Sequence, residues 1–188
     1  MFLYQIFSFF VQLFLMPFFI RALLRLHQVP FQNAVHLTIL QITNRFVYPF
    51  SRWIAPQGRY DWPTSCLILL VMFILAFLRN IMLVGHALGF FSLMFLVLLE
   101  AANRVCIIYI SSGLLSYSSL ILNSTTNKPL LDITHELTNW QFKKISYLMR
   151  QVPLLRQHFL KGVFWIWLLV MIMINLSFER LIYAMAFA

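Results

Sequence analysis

Glu100 and Arg104 stand four residues apart inside a long apolar run, with Asn103 beside Arg104. On a helix that spacing puts the carboxylate and the guanidinium on one face. Charge inside an apolar span is costly, so two readings arise. The pair serves an ion or proton at a helix interface, or it neutralises itself so that the helix can dock a neighbour. The second is favoured, because no chain of further carboxylates accompanies the pair. Arg79 and Asn80 lie late in the preceding apolar run. They either snorkel outward or face the bundle, and Arg79 can also pair with Glu100. His86 reads as a hydrogen-bonded turn residue. His135-Glu136 lacks a second His at the spacing of a zinc motif. Ser111-Ser112-Gly113 has no base beside it and reads as a small surface for close helix contact. Asp61 follows Gly58-Arg59-Tyr60 and precedes Pro63, the place of a helix N-cap after a glycine turn. The chain carries no phosphate-binding loop, no zinc-protease motif and no paired-carboxylate set. No enzyme activity, catalytic residue, cofactor or metal is expected.

The elements that must position these residues follow from composition. Of 188 residues, 62% are hydrophobic and 10% charged, against roughly 45–50% and about 25% in soluble domains. So little polar surface cannot cover a soluble core, and the 20 Phe exclude a disordered chain. An all-α integral membrane protein remains. The two cysteines, Cys66 and Cys106, lie in apolar runs and read as buried free thiols. The net charge of +9 would suggest nucleic acid in a soluble protein. In a membrane protein, Lys and Arg collect in cytoplasmic loops and meet anionic lipid, and no nucleic-acid partner is expected.

Four spans are expected at about 2–26, 64–86, 90–121 and 159–178, with polar loops 27–62 and 123–158. The first run lacks a basic leader and a cleavage site, and reads as a retained span that Pro17 can kink. Arg21 and Arg25 near its end can snorkel to the interface. The middle stretch also admits one span over 81–99, but an internal repeat favours two. A shift of 95 residues lays Gln41-Ile42-Thr43-Asn44 on Glu136-Leu137-Thr138-Asn139 and brings the hydropathy blocks into register. Residues 1–89 then form one repeat and 90–188 a degenerate second one, parallel and related by an axis along the membrane normal. Both loops fall on one face. With their borders they hold 11 of the 14 basic residues, which makes that face cytoplasmic and the termini periplasmic.

The loops carry helical stripes. Val35, Ile39, Ile42, Phe46, Phe50 and Trp53 recur at three and four, and so nearly do Leu130, Ile133, Leu137, Trp140, Ile145, Leu148, Val152 and Leu155. Two amphipathic interfacial helices are expected, the first ended or kinked by Pro49. Arg45, Trp53, Trp140, Lys143 and Lys144 are the residues expected to meet lipid or a partner. Packing of the stripes on the span ends is compatible with that contact.

Residues 18–62, FFIRALLRLHQVPFQNAVHLTILQITNRFVYPFSRWIAPQGRYDW, resemble the repeat of the YggT (YlmG-like) family. The matching positions are Arg21, Asn33, Thr43, Pro49, Arg52, Gly58 and Asp61. Arg45 stands where the family prefers Pro, and Ser51 where it often has Arg. The second half keeps the Asn127-Pro129 spacing, Thr138, Lys143 and Leu148, but has Pro153 and Arg156 where Gly58 and Asp61 would recur. The resemblance implies a bacterial inner-membrane or plastid protein with no established reaction. Members are associated with osmotic and ion tolerance, cell division, nucleoid or thylakoid organisation and cytochrome assembly. The leading expectation is a non-enzymatic scaffold, assembly factor or accessory subunit of a membrane complex. The alternative is an oligomeric transport or osmotic protein. Anionic lipid at the cytoplasmic face and a membrane-protein partner or second copy are the expected contacts.

Overall fold

The computed structural model describes residues 2–29, 33–83, 89–122, 128–150 and 159–187. Six helices account for nearly all of them: α1 (Phe2–Leu26), α2 (Ala34–Ser51), α3 (Trp62–Leu83), α4 (Phe90–Leu122), α5 (Lys128–Arg150) and α6 (Phe159–Phe187). Among the described residues there are no strands beyond one isolated bridge, Gln57 to Tyr60. Four segments are long and apolar enough to cross a membrane: Ile6–Leu26, Trp62–Ile81, Phe90–Ser118 and Phe164–Ile182. At 1.5 Å per residue, about 20 residues match the roughly 30 Å of hydrocarbon. The chain is therefore a multi-pass membrane protein in architecture.

The division of the middle stretch into two spans holds, with α3 ending at Leu83 and α4 beginning at Phe90. The second span starts at Trp62, two residues before the expected position, because Asp61 caps it there. The last helix continues past residue 178, through Glu179 and Arg180, to Phe187. Helix α1 runs through Pro17 without interruption. His86, Val152, Pro153, Leu155 and Arg156 lie outside the described residues.

Local chemistry sets the ends. Gln28, at φ 55, closes α1; Val29 N–H donates to the Leu24 carbonyl at 3.0 Å, the reach of a Schellman turn. The Asn33 side chain accepts from Val35 N–H at 2.9 Å and caps α2. Pro49 sits in the last turn of α2, which ends two residues later. Gly58 takes φ 58, a conformation that favours glycine, in the turn before α3.

Helices α1, α2 and α3 pack on one another, and so do α4, α5 and α6. The two groups meet mainly where α3 packs on α4, with a smaller contact between α2 and α5. Leu15, Phe18, Leu24, Ile68, Met72 and Val97 belong to the common core. Trp167 of α6 is 1% exposed and sets the outer edge of its indole against Gly113 of α4. A Cβ at residue 113 would overlap the indole ring, so the glycine is what lets the helices approach. Of the expected small-residue contact at Ser111-Ser112-Gly113, the close approach falls on Gly113, and Ser111 is exposed.

Helix α2 divides its apolar stripe between the bundle and its outer face. Its buried residues are His36, Thr43 and Val47, while Val35, Ile39 and Phe50 are half-buried beside them. Ile42, Phe46 and Trp53 are exposed. The apolar stripe is thus turned part-way out of the bundle, because the Thr43 edge faces inward to meet Arg21. In α5, Ile133, Thr134, Leu137 and Thr138 are buried and Leu130 and Trp140 exposed.

Candidate functional site

Arg21 does not snorkel. It is 9% exposed, and its Nε donates to Asp61 Oδ2 at 2.8 Å. Its Nη1 donates to Thr43 Oγ1 at 2.9 Å and to Asn44 Oδ1 at 2.7 Å. Asp61 is 4% exposed, and its second oxygen accepts from Thr64 N–H at 3.4 Å. One carboxylate therefore caps α3 and holds the guanidinium of α1. Thr43 Oγ1 also donates to the Ile39 carbonyl at 2.6 Å, so its hydroxyl is engaged on both sides. A buried charge needs a partner and satisfied hydrogen bonds, and this cluster supplies both. It ties α1, α2 and α3 together.

The other positions of the resemblance make their contacts outside this cluster. Asn33 caps α2 and donates through Nδ2 to the Pro129 carbonyl at 2.7 Å. Arg52 is the C-cap of α2; its guanidinium carbon sits 4.8 Å from the centre of the Tyr48 ring. Gly58 makes the turn, and Pro49 lies in the helix end. A groove beside the cluster is lined by Arg21, Asn44, Arg45, Tyr48 and Ser51.

A second polar cluster lies within the spans. Arg79 Nη1 of α3 donates to Glu100 Oε1 of α4 at 2.5 Å. The expected ion pair between Glu100 and Arg104 is not formed. Arg104, one turn further along α4, faces α1 instead, and its Nη2 donates to Gln12 Oε1 at 2.6 Å. Gln12 Nε2 in turn donates to Ser8 Oγ at 3.2 Å. Helix neighbours at i and i+4 compete with groups on packed helices, and here the packed helices win. Among the described residues, Arg79 Nη2 is buried without a hydrogen-bond partner. Asn103 points elsewhere: it is buried, and its Oδ1 accepts from Asn175 Nδ2 of α6 at 2.5 Å.

A third cluster joins α1, α4 and α5. His27 Nε2 is 2.7 Å from the Tyr109 hydroxyl, and its ring stacks on Trp140 at 6.2 Å. Burial holds the His27 pKa below its ordinary value, and nearby Glu136 opposes the shift. Lys144 Nζ lies 5.0 Å from the centre of the Trp140 ring. Arg45, Arg52, Trp53, Lys143 and Lys144 are exposed, Trp53 by 89%.

Sequence reasoning missed Gln12, Ser8 and the His27–Tyr109–Trp140 contact. Ser8 and Gln12 gave a signal, being polar residues four apart in an apolar run; His27 gave none. Among the described residues, no three His, Cys, Asp or Glu side chains converge as a metal site. No protein-family model, curated protein or solved structure matches the chain.

Proposed function

We propose that the chain is a non-enzymatic protein of a bacterial inner membrane. It acts as a scaffold, assembly factor or accessory subunit of a membrane complex, in cell division or membrane organisation. The observation that carries this reading is the pair of helices outside the spans. They touch where Asn33 of α2 donates to the Pro129 carbonyl of α5. Each sets exposed rings near cations: Phe46 and Trp53 with Arg45 and Arg52, and Trp140 with Lys144. Aromatic rings at the headgroup level and cations toward anionic lipid are the chemistry of a helix lying in the interface. The same surface can receive a membrane-protein partner or a second copy.

The parallel two-repeat layout belongs to this reading. It is supported by the order of α1–α2–α3 and α4–α5–α6, each packed within its own group. Thr43 and Thr138, equivalent under the 95-residue shift, are both 0% exposed. Both hydroxyls donate to the carbonyl four residues back. Membership of the YggT-like family is supported by Arg21, Thr43 and Asp61, three positions of the resemblance that share one hydrogen-bonded cluster. The distribution of Lys and Arg supports a cytoplasmic side for α2 and α5, with periplasmic termini.

The test is to replace Arg45, Arg52, Lys143 and Lys144 with Glu and purify the chain in mild detergent. Co-purifying anionic lipid and protein partners are then identified. Their loss from a folded variant is the expected result; undiminished retention overturns the reading.

A second reading, an oligomeric transport or osmotic protein, is favoured by the charged cluster between α1, α3 and α4. A folded protein that carries no ion flux in proteoliposomes would remove it.

A further inference from the structure

Ser8, Gln12, Arg79, Glu100 and Arg104 surround a cavity of about 30 Å³ between α1, α3 and α4. The rest of its wall is apolar and includes Leu15, Phe19 and Met72. All of these residues lie within the membrane-spanning segments. We infer that this cavity binds a small monovalent anion of the halide class.

The argument is one of charge. A guanidinium keeps its proton throughout the physiological range. Among the described residues, Arg79 has a carboxylate partner in Glu100, whereas Arg104 meets the neutral amide of Gln12. The cavity therefore carries one more positive charge than negative. The chain holds only five acidic residues to answer it. Asp61 is committed to Arg21. Asp132 and Glu136 are on α5 and exposed, and Glu179 is exposed near the end of α6. No second carboxylate lines the cavity. An unbalanced charge at membrane depth is expensive, and such charges lie at ion or substrate sites.

Hydrogen bonding points the same way. Among the described residues, Arg79 Nη2 is a buried donor with no acceptor. An anion accepts from such a donor and cancels the excess charge, whereas water does only the first. The volume is enough for about two water-sized particles, which excludes organic acids. The excess charge repels cations. Binding here requires no passage across the membrane, so the inference is independent of both functional readings.

The test uses the full chain in detergent at constant ionic strength, with chloride replacing gluconate. Thermal stability should rise saturably with chloride or bromide and not with gluconate. In the Arg104→Gln variant the apparent affinity should fall by about tenfold or more, and Arg104→Lys should restore part of it. A halide effect equal in the wild type and in Arg104→Gln overturns the inference. Where Arg104→Gln does not fold, chloride NMR line width on the wild type decides. Broadening relieved by bromide supports the site. A wild type with no chloride dependence by either measurement overturns it and leaves water as the occupant.

Discussion

Arg21 on α1 and Asp61 at the start of α3 are 40 residues apart in sequence and 2.8 Å apart in the fold. The pair is buried, and each member has a second task. Arg21 also holds Thr43 and Asn44 of α2, and Asp61 also caps α3. One ion pair thus joins three helices at a common corner.

Removing one partner strands the other charge. Arg21→Met or Asp61→Leu should each destabilise the folded chain by about 3–5 kcal/mol. The double variant should be less damaged than the sum, because it leaves no buried orphan charge. Denaturant unfolding in detergent measures all three, and strict additivity would contradict the coupling.

Gly113 admits the Trp167 ring, so even one added carbon must displace a rigid, buried indole. Gly113→Ala should cost about 1–3 kcal/mol through overpacking. Trp167→Leu in the same chain should recover part of the loss. A Gly113→Ala chain as stable as the parent would contradict the interlock.

His27 gives the fold a pH dependence of definite sign. Its folded pKa lies below the ordinary 6.5, because burial disfavours the imidazolium. On acidification the unfolded chain takes up this proton first, so the folded state loses ground. The contribution is complete above pH 6.5 and is lost as pH falls from there toward the lowered folded value. Comparing melting curves of the parent and His27→Gln across that window measures it. The variant should show a flatter acid limb.

Trp53 is 89% exposed, so Trp53→Ala should change stability by less than about 0.5 kcal/mol. With Trp53 as the sole tryptophan, brominated lipids should quench its fluorescence. Bromines near the headgroups should quench more strongly than bromines deep in the chains. No quenching at either depth would remove Trp53 from the lipid interface.

The spans were legible because long apolar runs have one physical use in so uncharged a chain. The helices α2 and α5 were legible from spacing at three and four. What the stripe of α2 did not reveal was its rotation. That depends on Arg21 drawing Thr43 inward, and Arg21 lies on another helix. The same reason hid the partner of Arg104. Spacing at i and i+4 brings Glu100 into reach, but the choice between Glu100 and Gln12 belongs to the packing of α1 on α4. Asp61 was legible as a cap because a cap is local. Its second role was not, because nothing near residue 61 names residue 21.

The order in which these contacts become available during synthesis also differs. Every partner of Arg21 lies within the first 61 residues of the chain. As α3 emerges from the ribosome, its first turn already brings the carboxylate that Arg21 needs. The corner that Arg21 and Asp61 form with α2 can be neutralised before α4 is made. Arg79 has no such provision. It leaves the ribosome 21 residues ahead of Glu100, and until α4 follows it is a cation seeking the membrane surface. Membrane insertion of α3 is thereby coupled to that of α4, so a chain halted between them should hold α3 less deeply than the finished protein does.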